Sequence, residues 1–153
     1  MPAKILTVDD EPSITRLVSA TLMARGYEVT SAGDGPSALV AAKAEHPDLI
    51  VLDIMMPKMD GKEVRRRLNE DPKTRDIPIL FLSAIGDYEG QLEEMESGSF
   101  VDFLTKPFAP AELGERVEKI LDPTQRKAYA RERDGREAKL RRIVGIMHRD
   151  RDL

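Results

Sequence analysis

The chain has 153 residues, no Cys and a formal net charge of −4. That length suits one domain that buries roughly 68–70% of its unfolded surface, so no disulfide or metal staple is needed. The lack of Cys excludes disulfides, thiolate metal sites and thiol nucleophiles. No apolar stretch approaches the ~20 residues that span a bilayer. The opening M-P-A-K-I-L-T-V runs directly into a strand pattern, without a signal-peptide core. A cytoplasmic setting is expected.

The first apolar run, Ile5–Val8, predicts a strand that delivers the acidic run Asp9, Asp10 and Glu11. Pro12 then suits a first helical turn, with Asp10 or Glu11 as its cap. Ile14, Leu17, Val18, Thr21 and Leu22 fall on one face of that helix, and Gly26 ends it. Tyr27–Ser31 predicts a second strand. Gly33-Asp34-Gly35-Pro36 leads into a second helix with Ala38, Leu39 and Ala42 inward, closed at His46-Pro47. Leu49–Leu52 is a short apolar run that ends in Asp53, followed by the breakers Pro57 and Asp60-Gly61. That pattern reads as a buried strand presenting one carboxylate to a loop.

A third helix begins near Gly61 and carries Val64 and Leu68. Ile77–Leu82 predicts a fourth strand, ending at Ser83. A weaker helix at about Tyr88–Ser97 contains Gly90, which costs ~1 kcal/mol relative to Ala. Phe100–Leu104 predicts the fifth strand, just before Lys106-Pro107. A fifth helix follows Pro110, with Leu113, Val117, Ile120 and Leu121 on one face. Five strands alternating with five helices imply an α/β fold, a doubly wound parallel sheet covered on both faces. The domain is expected to span residues 1–122, with 123–153 as a tail.

In such a sheet, ligands bind at the carboxyl ends of the strands. Asp9, Asp10 and Asp53 converge there. At ~5 Å and an effective dielectric near 20, each ionised pair repels by about 3 kcal/mol. A cation relieves that repulsion, and an all-oxygen donor set favours Mg²⁺. The same acidic run also reads as a plain helix cap. Neither His46 nor His148 reads as catalytic.

Four motifs occur in order: the pair Asp9-Asp10, the D-x-x-M-P-x-M-D-G run from Asp53, Ser83-Ala84 after an apolar strand, and L-T-K-P-F ending at Phe108. Through them, residues 4–121 resemble the receiver domain of two-component response regulators, including single-domain chemotaxis regulators. The resemblance implies a flavodoxin-like sheet of order 2-1-3-4-5. It implies that Asp53 is the phosphoacceptor, attacking a phosphohistidine of a sensor histidine kinase or histidine phosphotransfer protein. Asp10, Asp53 and the backbone carbonyl of Met55 would ligate Mg²⁺, and Asp9 would act through a metal-bound water. Lys106 and Ser83 would contact phosphoryl oxygens. Phe103 falls at the family's switch aromatic, although a plain core phenylalanine explains it equally. The family has a cis peptide at Pro107. The segment 98–102 is one residue longer than the common pattern.

The charge is uneven. Residues 123–153 hold ten Lys/Arg and five Asp/Glu, or +5, which leaves 14 basic and 23 acidic residues, or −9, in 1–122. Leu140, Ile143, Val144 and Met147 form an apolar stripe at helical spacing, with Gly135 and Gly145 interrupting the pattern. The tail is too short for a helix-turn-helix output. The stripe can pack on its own domain, pack on a homodimer mate or begin a linker to an output domain. A basic face on membrane or nucleic acid is the lesser reading, and nothing in the tail reads bases.

The reading is a receiver that signals to a downstream protein target by contact and is not itself an enzyme. Two alternatives stand beside it. One is a regulatory piece of a larger regulator or enzyme. The other is a Mg²⁺-dependent phosphatase with an aspartyl nucleophile, which calls for an acid two residues on, where this chain has Met55. A homodimer through the fifth helix and the tail is also expected.

Overall fold

The computed structural model describes residues 2–97 and 100–151. Among these, the strands are β1 (Lys4–Val8), β2 (Glu28–Ala32), β3 (Leu49–Asp53), β4 (Ile79–Ser83) and β5 (Val101–Thr105). They alternate with α1 (Pro12–Ala24), α2 (Gly35–Glu45), α3 (Gly61–Glu70), α4 (Tyr88–Met95) and α5 (Pro110–Leu121). A 3₁₀ turn, Pro123–Gln125, leads into α6 (Arg126–Arg151). The sheet is parallel, in the order β2-β1-β3-β4-β5. This is the expected flavodoxin-like, doubly wound α/β fold.

Strand edges shift by one or two residues from the sequence pattern, for local reasons. Tyr27 donates its N–H back to Leu22 O and so closes α1 instead of starting β2. Ile77 donates to Thr74 O in a turn, and Pro78 has no N–H to give, so β4 begins at Ile79. The α1 cap also differs. Glu11 is the N-cap residue but makes no side-chain cap, while Asp9 Oδ1 accepts the Glu11 N–H at 2.9 Å.

All five residues of β3 are buried, as expected for the middle of a parallel sheet. Alternate residues serve the two faces. Leu49 and Val51 join Val18, Leu22, Leu113 and Val117 under α1 and α5. Ile50 and Leu52 join Ala38, Ala42, Val64, Leu68 and Met95 under α2, α3 and α4.

Gly135 and Gly145 do not interrupt the tail, because α6 runs unbroken through both. A glycine costs a helix about 1 kcal/mol. Packing offsets that cost here, since Tyr129, Leu140 and Val144 are buried and Leu140 belongs to the core cluster under α4. The apolar stripe therefore packs on its own domain. Ile143 and Met147 are half-buried, Arg141 of the basic face pairs with Glu96, and His148 Nε2 lies 3.0 Å from Glu89 Oε1. Of the 98–102 segment, Gly98 and Ser99 lie outside the described residues. Among the described residues, no helix is long and apolar enough to cross a membrane.

Candidate phosphoryl and metal site

The strand order reverses between β1 and β3, and residues at or just beyond the carboxyl ends of the strands line the crevice at that point. Asp9 and Asp10 come directly after β1, Asp53 closes β3, Ser83 closes β4, and Lys106 comes directly after β5. One carboxylate oxygen from each of Asp9, Asp10 and Asp53 lies within 4.8 Å of the others. Asp9 and Asp53 are buried and Asp10 is exposed. Lys106 Nζ stands 3.2 Å from Asp9 Oδ2 and 3.3 Å from Asp53 Oδ1. The Lys106–Pro107 peptide is cis.

The backbone builds this pocket tightly. Met55 donates its N–H to Asp53 Oδ1 at 3.3 Å. Gly61 donates to Ile54 O at 2.9 Å, and a Cβ on Gly61 would lie 2.4 Å from Asp53 O and 2.9 Å from Ile54 Cα. The first turn of α3 thus passes against the end of β3 at a distance only glycine allows. Asp60 caps that turn by accepting from Glu63 N at 2.9 Å. The D-G pair of the motif is one residue for the cap and one for the clearance.

Burial raises the Asp53 carboxyl to about 6, and the Asp9 charge adds to the rise, while Lys106 and the Met55 N–H oppose it. Burial alone would lower the Lys106 ammonium, but the Asp53 and Asp9 carboxylates outweigh it and raise it. Three carboxylates against one ammonium leave the site short of positive charge. An oxygen-only donor set with that deficit suits a hard divalent cation such as Mg²⁺.

Ser83 Oγ, 1% exposed, accepts from Nε2 of Gln91 at 3.0 Å. Gln91 sits on α4 and is itself buried. Sequence reasoning missed it, because one glutamine in a helix of weak apolar pattern gives no signal. Phe103 is buried, with its ring stacked on Phe81 at 5.1 Å. The structure thus unites Asp9, Asp10, Asp53 and Lys106 in one cluster, holds Ser83 through α4, and places Phe103 in the core beside Asp102. His46 is a left-handed helix cap at φ 48°, and His148 is exposed, with Nε2 3.0 Å from Glu89 of α4.

Asp102 is a further buried acid, outside that cluster, that the pattern did not single out. It is fully buried on β5 and bonded by Tyr129 and Arg136 of α6, with Arg116 of α5 at 3.6 Å. A charge inside an apolar strand was the available signal. Next to it, Arg133 reaches the carbonyls of Val101 and Met95, both at 2.8 Å. Together these contacts fasten α6 across α4 and β5.

Comparison with known proteins agrees with this geometry. Residues 5–118 match the family described as the response regulator receiver domain. The response regulator PleD of Caulobacter vibrioides is 44% identical over 143 residues, which covers 94% of this chain and 31% of PleD. The DNA-binding dual master transcriptional regulator RpaA of Synechocystis is 44% identical over 123 residues, covering 80% and 51%. The chain thus spans between about a third and half of the length of these relatives. Among solved structures, the chemotaxis protein CheY4 of Vibrio cholerae superposes with a TM-score of 0.73 at 36% identity, over 79% of this chain and all of that one.

Proposed function

The chain belongs to the response regulator receiver domain family, and from that premise we propose that Asp53 accepts a phosphoryl group and that the phosphorylated domain signals by protein–protein contact. The donor is a phosphohistidine of a sensor histidine kinase or histidine phosphotransfer protein. An Asp53 carboxylate oxygen attacks phosphorus, the P–N bond breaks, and the histidine leaves with the electron pair and takes up a proton. The product is an acyl phosphate.

The observation that carries this reading is the environment of Asp53: a buried carboxylate ending the central strand, with Lys106 at 3.3 Å and Asp9 and Asp10 beside it. Phosphoryl transfer asks little of a protein beyond alignment and neutralisation of the equatorial oxygens. Lys106 Nζ supplies one positive contact and the Ser83 hydroxyl a hydrogen bond. Asp10, Asp53 and the Met55 carbonyl would hold Mg²⁺, with Asp9 acting through a water. When bound, the ion supplies the remaining positive charge for the phosphoryl oxygens. The reading carries with it a cytoplasmic setting.

A phosphatase built on an aspartyl nucleophile needs an acid two residues on to protonate the leaving group. Met55 stands there and is 73% exposed, which disfavours that reading. A homodimer would use surfaces other than the buried Leu140 and Val144, and light scattering at micromolar concentration tests it. The receiver reading itself is tested with acetyl phosphate and Mg²⁺. Intact-mass spectrometry should show one added phosphate on the wild type and none on Asp53→Asn. Undiminished phosphorylation of the variant would sink the assignment.

A further inference from the structure

Between α4, β5 and α6 lies a cavity of about 250 Å³, lined by Gln91 and Met95 of α4, Phe103 of β5, and Arg136, Leu140 and Ile143 of α6. Two features of the candidate site meet at its wall. Gln91 holds the hydroxyl of Ser83, and Phe103 is the next residue after the clamped Asp102. The covering helix is thus two contacts away from the Asp53 pocket. We propose that α6 is an internal ligand of the α4–β5 face, and that Gln91 couples its docking to occupancy of the Asp53 site. This proposal rests on the receiver reading.

The coupling arises from the bond that each group loses. Ser83 Oγ is turned toward α4, where it accepts from Gln91 at 3.0 Å. In the proposed coupling, reaching a phosphoryl oxygen on Asp53 swings the Ser83 side chain away from α4 and gives up that bond. The Gln91 amide is then left in a site only 6% exposed. An unpaired buried amide is costly, and α4 relieves it by turning that side chain toward water. The side of α4 that would open is the one α6 covers, where Arg133 bonds Met95 O and Arg141 pairs with Glu96. A phosphoryl group on Asp53 therefore opposes docking of α6. By reciprocity, a docked α6 opposes the phosphoryl state by the same factor.

The basic charge of α6 gives the released helix a definite character. Its apolar row of Leu140, Val144 and half-buried Ile143 would be freed together with the α4–β5 face it covered. Phosphorylation then exposes two surfaces at once, one apolar on the domain and one basic and amphipathic on the helix.

The lack of Cys makes the test direct. Spin labels on Ala44→Cys of α2 and Arg142→Cys of α6, both exposed positions, report the docking of α6 in the full chain as a distance distribution. The probe is beryllofluoride with Mg²⁺, a stable stand-in for the phosphoryl group, and its binding is read independently by fluorine NMR. In the wild-type background the probe should convert a single docked distance into a broad, longer one. Gln91→Met has no amide to orphan, so it should bind the probe and keep the docked distance. Leu140→Asp, which loosens α6 from the start, should bind the probe roughly fivefold more tightly than wild type. An unchanged distance in probe-bound wild type overturns the proposal, as does movement of α6 in probe-bound Gln91→Met equal to that in wild type. Absence of any probe signal in wild type overturns the receiver reading itself, and the fluorine spectrum tells that outcome from the others.

Discussion

Arg136 of α6 closes on the carboxylate of Asp102, a fully buried acid and the second residue of β5. The Tyr129 hydroxyl and the Phe103 N–H complete its shell, the latter at 2.8 Å. Burial pushes the Tyr129 hydroxyl well above its ordinary value, with the Asp102 charge adding to it, so the phenol stays a donor at any working pH. Removing one partner from a buried ion pair costs about 3–5 kcal/mol, because the other charge is left behind. Arg136 and Arg116 keep some exposure, so solvent screening brings the cost to the low end of that range or just below it. Asp102→Ala should lower the unfolding free energy by roughly 2–3 kcal/mol in urea titration, whereas Tyr129→Phe should cost about 1 kcal/mol. Equal, negligible losses in both would mean that α6 is not fastened through Asp102.

The raised Asp53 carboxyl makes a signed prediction about pH. Its value of about 6 in the folded chain lies above the ordinary 3.8. The folded state therefore holds that proton more firmly than the unfolded state. The contribution favours folding at low pH and is lost as pH rises from about 4 through 6. A shift near two units corresponds to up to about 3 kcal/mol. Without Mg²⁺ at pH 7, Asp53→Asn should thus be more stable than wild type, and the gap should close toward pH 4. Paired thermal melts across that range check it. A variant less stable than wild type at pH 7 contradicts the prediction.

Much of this was legible in the sequence because the informative residues sit at strand ends. Each apolar run stops at a residue whose chemistry differs sharply from the run, as with Asp53, Ser83 and the Lys106 just past β5. The doubly wound sheet and the grouping of Asp9, Asp10 and Asp53 stem from that alternation and the handedness of the crossovers, whereas the strand order followed from the resemblance to the receiver family. Two things were not legible. Gln91 meets Ser83 only through the packing of α4, and no periodicity predicts one side chain's rotamer. The length of α6 was obscured by Gly135 and Gly145, whose helical cost is local while the compensation from Asp102, Val101 and Met95 is tertiary.

Gly61 should tolerate no side chain. A Cβ there would stand 2.4 Å from a backbone oxygen of Asp53, and backbone cannot yield as a flexible side chain can. Gly61→Ala should destabilise the fold by roughly 1–3 kcal/mol and displace the loop that holds Asp53. Both effects are readable, as a lower urea midpoint and as slower phosphorylation by acetyl phosphate. Full activity at unchanged stability would mean that α3 can shift outward freely.

Lys106 faces two opposite demands, which makes its removal informative. Its ammonium neutralises Asp9 and Asp53 at 3.2 and 3.3 Å, so it competes with any cation drawn to the same carboxylates. At about 5 Å and a dielectric near 20, the single charge of the ammonium and the double charge of Mg²⁺ repel by about 7 kcal/mol, and solvent at the mouth of the site reduces that. Lys106→Met should therefore bind Mg²⁺ more tightly, by roughly tenfold in calorimetric titration. The same variant loses the contact that stabilises a phosphoryl oxygen, so its rate of phosphorylation by acetyl phosphate should fall at saturating Mg²⁺. Opposite movement of these two quantities is the signature of a lysine that serves the phosphoryl group and not the metal. Weaker Mg²⁺ binding in Lys106→Met would instead mean that the lysine holds the carboxylates in place for the ion.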